Sequence, residues 1–239
     1  MQTNELQEIA RVLRTAPPLR CRIGAGEAVK KGDCLVGYKL GNIAKVMQNA
    51  FGLGHPDYGF LLASTTINEG SSVPRNKYIK PFVELEPAFV LRASLRAPNA
   101  TMVDVMNAID YAIPAIEIID SRVQNWAIDL PGMLADNGST GSIILGGTPR
   151  KLTEPTLRDT CGTLHFNGRE VMTGNTTNVL RNPLSAVAWL VNRLAAYDIE
   201  FQLGQMILPG SCLEAVPMEE TGNWICTFEG WGTIEFDAV

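Results

Sequence analysis

Histidine is nearly missing from this chain, with His55 and His165 its only two copies. Its five cysteines (Cys21, Cys34, Cys161, Cys212, Cys226) never fall into a CxxC pair. Thiolate and imidazole zinc centres need such clusters, and an odd, scattered set of thiols builds no disulfide framework. A basic surplus is absent too. Lys+Arg number 20 against 25 Asp+Glu, a formal net charge of -5, which removes the positive stripe that nucleic acid or an anionic membrane surface requires. No run approaches the roughly 20 apolar residues of a membrane span. The opening MQTNELQEIARVLR carries charges at helical spacing where a signal peptide would have an apolar core. These absences lead to the expectation of a cytoplasmic protein that engages neither membrane nor nucleic acid.

What is present suffices for one sizeable core, since 46% of the 239 residues are hydrophobic. Thr3 precedes Leu6, Ile9, Ala10 and Leu13 on one helical face, and Pro17-Pro18 ends that helix. The glycine-dense stretch from Ile23 to Arg75 predicts short strands and turns, interrupted by a helix over Ile43 to Ala50. Thr101-x-x-Asp104 has the form of a capping box. Val103, Met106 and Ile109 follow at three-residue spacing and Pro114 stops the pattern, which predicts a helix over 101–113 and then a short strand in AIEIID. Asn182-Pro183 opens a second helix with Leu184, Val187, Leu190, Val191 and Leu194 on one face. Trp224, Cys226 and Phe228, then Ile234, Phe236 and Ala238, alternate with polar residues as half-buried strands do. The class is α+β and β-rich, with residues 1–35 a helical and connecting segment and 36–239 the main domain.

Chemistry concentrates in VELEPAFVL, residues 83–91. Alternation puts Glu84 and Glu86 on one strand face and Val83, Leu85 and Phe89 on the other. Two like charges there repel unless a cation or basic side chains sit between them; a solvent-exposed face with two ordinary glutamates is the competing reading. Glu117 interrupts a second apolar run in IPAIEIIDSR, followed by Asp120 and Arg122. Three carboxylates without histidine or cysteine suit a hard divalent cation, Mg²⁺ or else Mn²⁺ or Ca²⁺. Alternatively, Glu117 pairs with Arg122. Pro87 removes a ladder donor and predicts an edge or bulge. The glycine-rich ADNGSTGSIILGG offers Asn137, Ser139, Thr140 and Ser142 as amide and hydroxyl donors for a substrate carboxylate; the competing reading is a tight turn that uses Asn and Gly for its backbone geometry.

VGYKLG, PDYGFL, VELEPAFVL, IPAIEIIDSRVQNW, ADNGSTGSIILGG, NPLSAVAWLVNRLA and GQMILPGS occur in this order from Val36 onward. Together they resemble the 2-hydroxypenta-2,4-dienoate hydratase, 2-oxo-hept-4-ene-1,7-dioate hydratase and 4-oxalocrotonate decarboxylase group of the fumarylacetoacetate hydrolase superfamily. The resemblance implies a mixed β-roll with a few flanking helices, and a divalent metal, usually Mg²⁺, on Glu84, Glu86 and Glu117. It implies Lys39 and Asp57 as the groups that bind substrate and move protons near that metal, with Asn42 supplying an amide beside them. The implied activity is a lyase of aromatic catabolism: a metal-dependent hydratase adding water to a 2-hydroxy-2,4-dienoate or 2-oxo-enoate through a stabilised enolate. The alternatives are a 2-oxo-3-enedioate decarboxylase, a carbon–carbon hydrolase or tautomerase, and a silent subunit beside an active pathway enzyme. Members of the group form homo-oligomers, and the same is expected here.

Overall fold

The computed structural model describes residues 32–43, 56–153 and 155–239. The helix expected near residues 3–13, nearly all of that expected over 43–50, and His55 lie outside them. The strands are β1 (Leu35–Gly41), β2 (Asp57–Leu62), β3 (Thr66–Asn68), β4 (Ser72–Val73), β5 (Phe82–Leu91), β6 (Ile109–Ile119), β7 (Thr140–Leu145), β8 (Cys161–Phe166), β9 (Arg169–Asn175), β10 (Met206–Leu208), β11 (Val216–Pro217), β12 (Gly222–Phe228) and β13 (Gly232–Ala238). Among the described residues three α-helices flank them: α1 (Met102–Ala108), α2 (Leu130–Ala135) and α3 (Pro183–Ala195).

Two sheets form. The first runs β2-β1-β10-β5-β6-β7-β3 with β11 added to the start of β5, and the second runs β4-β13-β12-β8-β9. Parallel pairs (β1 with β10, β3 with β7) sit beside antiparallel ones, so the expected β-rich, mixed α+β architecture is what the chain adopts. The first sheet is strongly curled. Lys39 on β1 lies three strand steps from β6 in sheet order, ~14 Å on a flat sheet, yet its Nζ is 3.5 Å from Glu117 Oε1. Only a sheet folded back on itself brings them together.

The second sheet fills the convex side. Trp224, Phe228, Ile234 and Phe236 are buried, as the alternation in β12 and β13 predicts. At Gly162 on β8 a Cβ would stand 3.0 Å from Leu85 Cδ2 and 3.0 Å from Cys212 Sγ, so the sheets meet where a glycine leaves room. The odd-numbered face of β5 is thus sealed by hydrophobic packing, which turns its even-numbered face, with Glu84 and Glu86, into the concave side.

Three expectations change. The helix over 101–113 ends at Ala108, and the short strand is the end of an eleven-residue β6. The capping box of Thr101 and Asp104 is real, but the buried residues are Val105 and Ala108, whereas Val103 is 57% exposed. From Ile109 onward, pairing with β5 supersedes helical periodicity. Pro87 marks no bulge but a local edge: it lies opposite Pro114 within the β5–β6 pair, in regular register, with no strand among the described residues paired on its outer side. Facing prolines fit a position where neither residue donates across the pair, and their nitrogens then point outward. On the outer side of β5 the partner strands are interrupted there, with β10 registered at Phe89–Val90 and β11 at Phe82–Val83. On β6, pairing with β7 starts only at Ala115.

The expected helix at Asn182-Pro183 is present as α3, with Asn182 capping the Leu184 N–H. Near the concave face, the Asn137 side chain pairs with β2 as a strand would. It accepts from Phe60 N–H and donates to Phe60 C=O, each at 3.0 Å. Asn137→Ala leaves both backbone groups without that partner and is expected to lower stability by about 1–3 kcal/mol in urea denaturation. A loss under about 0.5 kcal/mol would show that water substitutes freely at this edge.

Candidate metal centre and substrate cavity

In the β5–β6 register Glu84 stands directly opposite Glu117, and Glu86 is one step further along the same face. Oxygen atoms of all three lie within 4.8 Å of one another. Glu86 and Glu117 are fully buried, which excludes the solvent-exposed reading, and Glu84 opens onto a cavity of about 270 Å³. Glu86 Oε2 accepts the Gly210 N–H at 2.8 Å. Glu86 Oε1 and both oxygens of Glu117 have no hydrogen-bond partner among the described residues.

Such groups are costly to bury unpaired. Burial first, and mutual repulsion second, push the Glu84 carboxyl up to about 8 and Glu86 well above the ordinary carboxylate range. Glu117 is raised by burial despite the pull of Lys39. Burial by itself would lower Lys39, yet Glu117, Asp57, Glu84 and Glu86 around it outweigh that and raise it above the usual lysine value. The lysine is therefore held as an ammonium. With the carboxyls ionised, one ammonium among four of them leaves a large negative excess, and oxygens without hydrogen-bond partners converge within the reach of a single hard cation. This donor set fits a divalent metal.

Lys39 and Asp57, each of which could have been a surface-loop residue, are 2% and 1% exposed and lie on β1 and β2. Glycines make the room for both. A Cβ on Gly59 would meet Lys39 Cγ at 2.9 Å, and one on Gly138 would meet Lys39 Nζ at 3.1 Å and Asp57 Oδ1 at 3.0 Å. Lys39 and Asp57 thus share the space that a side chain at 138 would fill. Asn42, with φ 51, donates its amide to Asp57 Oδ2, and Asp57 Oδ1 is buried without a hydrogen-bond partner among the described residues.

Ser139 and Ser142 are not brought to the cavity. Ser139 donates to Asp136 Oδ2 at 2.8 Å, and Ser142 accepts from Tyr78 OH at 2.8 Å on the opposite face of β7. Arg122 does not pair with Glu117. Its Nε donates to Asp136 Oδ1 at 2.7 Å, and its Nη1 to the carbonyls of Asp120 and Thr140. That clasp ties the loop after β6 to Asn137, Gly138 and Ser139, three successive residues at φ 62, 59 and 54. The cavity is completed by Phe82, Trp126, Lys80 and Glu214. Phe82 and Lys80 precede Glu84 by two and four residues, so extending the alternation backward finds them. Trp126 and Glu214 carry no such signal.

No family model matches the chain. Individual proteins do. The 2-oxo-hept-4-ene-1,7-dioate hydratase of Escherichia coli is 38% identical over 212 residues, 86% of this chain and 79% of that protein. The 4-oxalocrotonate decarboxylase of Pseudomonas putida is 35% identical over 205 residues, covering 86% and 78%. A solved structure of 4-oxalocrotonate decarboxylase from Pseudomonas putida G7, complexed with magnesium and adipate, matches with a TM-score of 0.86 at 29% identity over 100% of this chain and 99% of that one. The chain belongs to the fumarylacetoacetate hydrolase superfamily, in the group of 2-oxo acid hydratases and decarboxylases that these relatives represent.

Proposed function

We propose that this protein is a divalent-metal-dependent hydro-lyase that adds water to a 2-hydroxy-2,4-dienoate by way of its 2-oxo-enoate tautomer. The observation that carries the reading is that Glu86 Oε1 and both Glu117 oxygens are buried without a hydrogen-bond partner among the described residues, with one ion pair to Lys39, beside the cavity-facing Glu84. These three glutamates would hold the cation, and Mg²⁺ suits an all-carboxylate set. When bound, the cation supplies Lewis-acid stabilisation of the negative charge that develops on the substrate's C2 oxygen.

The chain's own side chains do the rest. Lys39, an ammonium at the wall of the cavity, orients the substrate carboxylate and adds positive potential where enolate charge develops. Asp57 Oδ1, buried and without a hydrogen-bond partner among the described residues, is the acceptor for the 2-hydroxyl proton and returns it to the far carbon of the diene. Asn42 holds Oδ2 so that Oδ1 faces the cavity. The double bond left conjugated to the ketone then takes water, and Asp57 orients that water. Phe82, Trp126 and Met133 line the walls and exclude bulk solvent. Decarboxylation is the second reading, favoured by the relative and the solved structure that bear that name. It uses the same cation and the same stabilised enolate, but releases carbon dioxide.

In an ultraviolet assay with 2-hydroxypenta-2,4-dienoate, the dienol absorbance is expected to fall only with Mg²⁺ present and to persist with chelator. The product should be a hydrated 2-oxo acid, with no carbon dioxide evolved. Glu86→Gln should abolish this turnover and weaken Mg²⁺ binding more than about tenfold, while metal-free stability stays within about 1 kcal/mol, because the change removes only one of several crowded acids. Full turnover in that variant would sink the metal-site assignment. Gly138→Ala places a methyl 2.7 Å from Lys39 Cε on a left-handed residue. It should lower kcat/KM at least tenfold, ~1.4 kcal/mol in barrier, with Mg²⁺ affinity in calorimetry changed less than about threefold. Equal losses of both would assign Gly138 to folding and not to the shape of the cavity.

A further inference from the structure

Three residues alternate along one face of β5 from the floor of the site towards its mouth: Glu86 and Glu84 at the floor, then Phe82. Lys80 stands in the bend two residues before the strand. Glu84, Phe82 and Lys80 all line the cavity. At ~3.3 Å per extended residue, Lys80 starts at most about 13 Å from Glu84 along the chain, and a lysine stem spans part of that distance. Between them the Phe82 and Trp126 rings meet edge to face, with centroids 5.4 Å apart at 88°. The cavity therefore has a carboxylate floor, an aromatic middle and an ammonium at its rim.

Lys80 is exposed, but its peptide is held in place. Asp120, itself 5% exposed, accepts the N–H groups of Ile79 at 2.9 Å and Lys80 at 2.8 Å, and the Trp126 indole N–H donates to Lys80 C=O at 3.2 Å. Lys80 Nζ has no hydrogen-bond or ion-pair partner among the described residues. The other charged group at the rim, Glu214, comes from the turn before β11 and makes no ion pair with it. Lys39 is already committed to the floor carboxylates, which leaves Lys80 as the cation free to meet a second anionic group.

Building on the hydratase reading, we propose that Lys80 reads a distal carboxylate, making this site selective for dicarboxylic 2-oxo or 2-hydroxy-dienoic acids over monocarboxylic ones. The reacting end lies over the floor, the unsaturated chain runs past Phe82 and Trp126, and the second carboxylate meets the ammonium. A charge pair this close to solvent gives a moderate preference that weakens as salt rises.

The test is calorimetric binding of two unreactive probes, 2-oxopentanoate and 2-oxoheptanedioate, to the full-length protein with Mg²⁺. The wild type should favour the dioate by about five- to tenfold, less in high salt. Lys80→Met, which keeps the apolar stem, should reduce that ratio to near one, and Lys80→Arg should retain it. A ratio that survives in Lys80→Met, or a wild type favouring the monoacid, overturns the proposal. Turnover of 2-hydroxypenta-2,4-dienoate and of its seven-carbon dicarboxylic counterpart, 2-hydroxyhepta-2,4-diene-1,7-dioate, judges the hydratase reading separately. A Lys80-dependent preference without any turnover would uphold the role of Lys80 and reject the hydratase.

Discussion

The constraint on which the structure turns is the gathering of Glu84, Glu86, Glu117 and Asp57 around one ammonium, that of Lys39, in a place from which water is largely excluded. Two like charges about 4 Å apart repel by roughly 4 kcal/mol at the effective dielectric of a protein, and burying each ion costs several more. Lys39 offsets only part of this. The remainder is carried by raised carboxyl pKa values when no cation is bound, and a divalent cation would relieve it. Folding energetics alone would never select such a cluster, so its presence is itself a functional signal.

The architecture around the cluster works to hold it in place. On the reverse face of β5, Val83 and Leu85 are sealed within the hydrophobic core shared with the second sheet. That seal fixes the register, and a slip of one residue would put both glutamates into hydrocarbon. Curling of the first sheet then carries Lys39 across to Glu117, and the glycines at 59 and 138 admit its stem. Arg122 contributes by its absence from the cluster. Because its guanidinium is spent on Asp136 and on two carbonyls of the neighbouring loops, Glu117 stays free of an arginine and meets only the Lys39 ammonium. The same clasp holds the left-handed turn at Asn137, Gly138 and Ser139, which would otherwise be strained.

Much of this was legible in the chain. Strand alternation put Glu84 and Glu86 on one face, the third acid in an apolar run pointed to Glu117, and the order of motifs carried the family resemblance. Errors arose where one local pattern had two readings. Val103, Met106 and Ile109 satisfy helical spacing, yet Ile109 belongs to a strand, because pairing along all of β5 outweighs one more helical turn. Pro87 could mark an edge or a bulge, and only its regular pairing with Pro114 rules out the bulge. Ser139 and Ser142 have the right chemistry for a substrate carboxylate, but their hydroxyls are bound to Asp136 and Tyr78, partners that sequence spacing does not reveal.

By itself, then, the sequence determined which residue types are available and which share a strand face, since a period of two is a local property of the backbone. That is enough for the Glu84–Glu86 pair, for the alternating core of β12 and β13, and for a hard-cation chemistry without histidine or cysteine. Which strands become neighbours, how far the sheet curls, and whether a given lysine or aspartate sits in solvent or in the core are set by contacts between residues far apart in the chain. The tertiary structure alone therefore decided that Lys39 reaches Glu117, that Arg122 does not, and that Trp126 and Glu214 close the cavity that Lys80 overlooks.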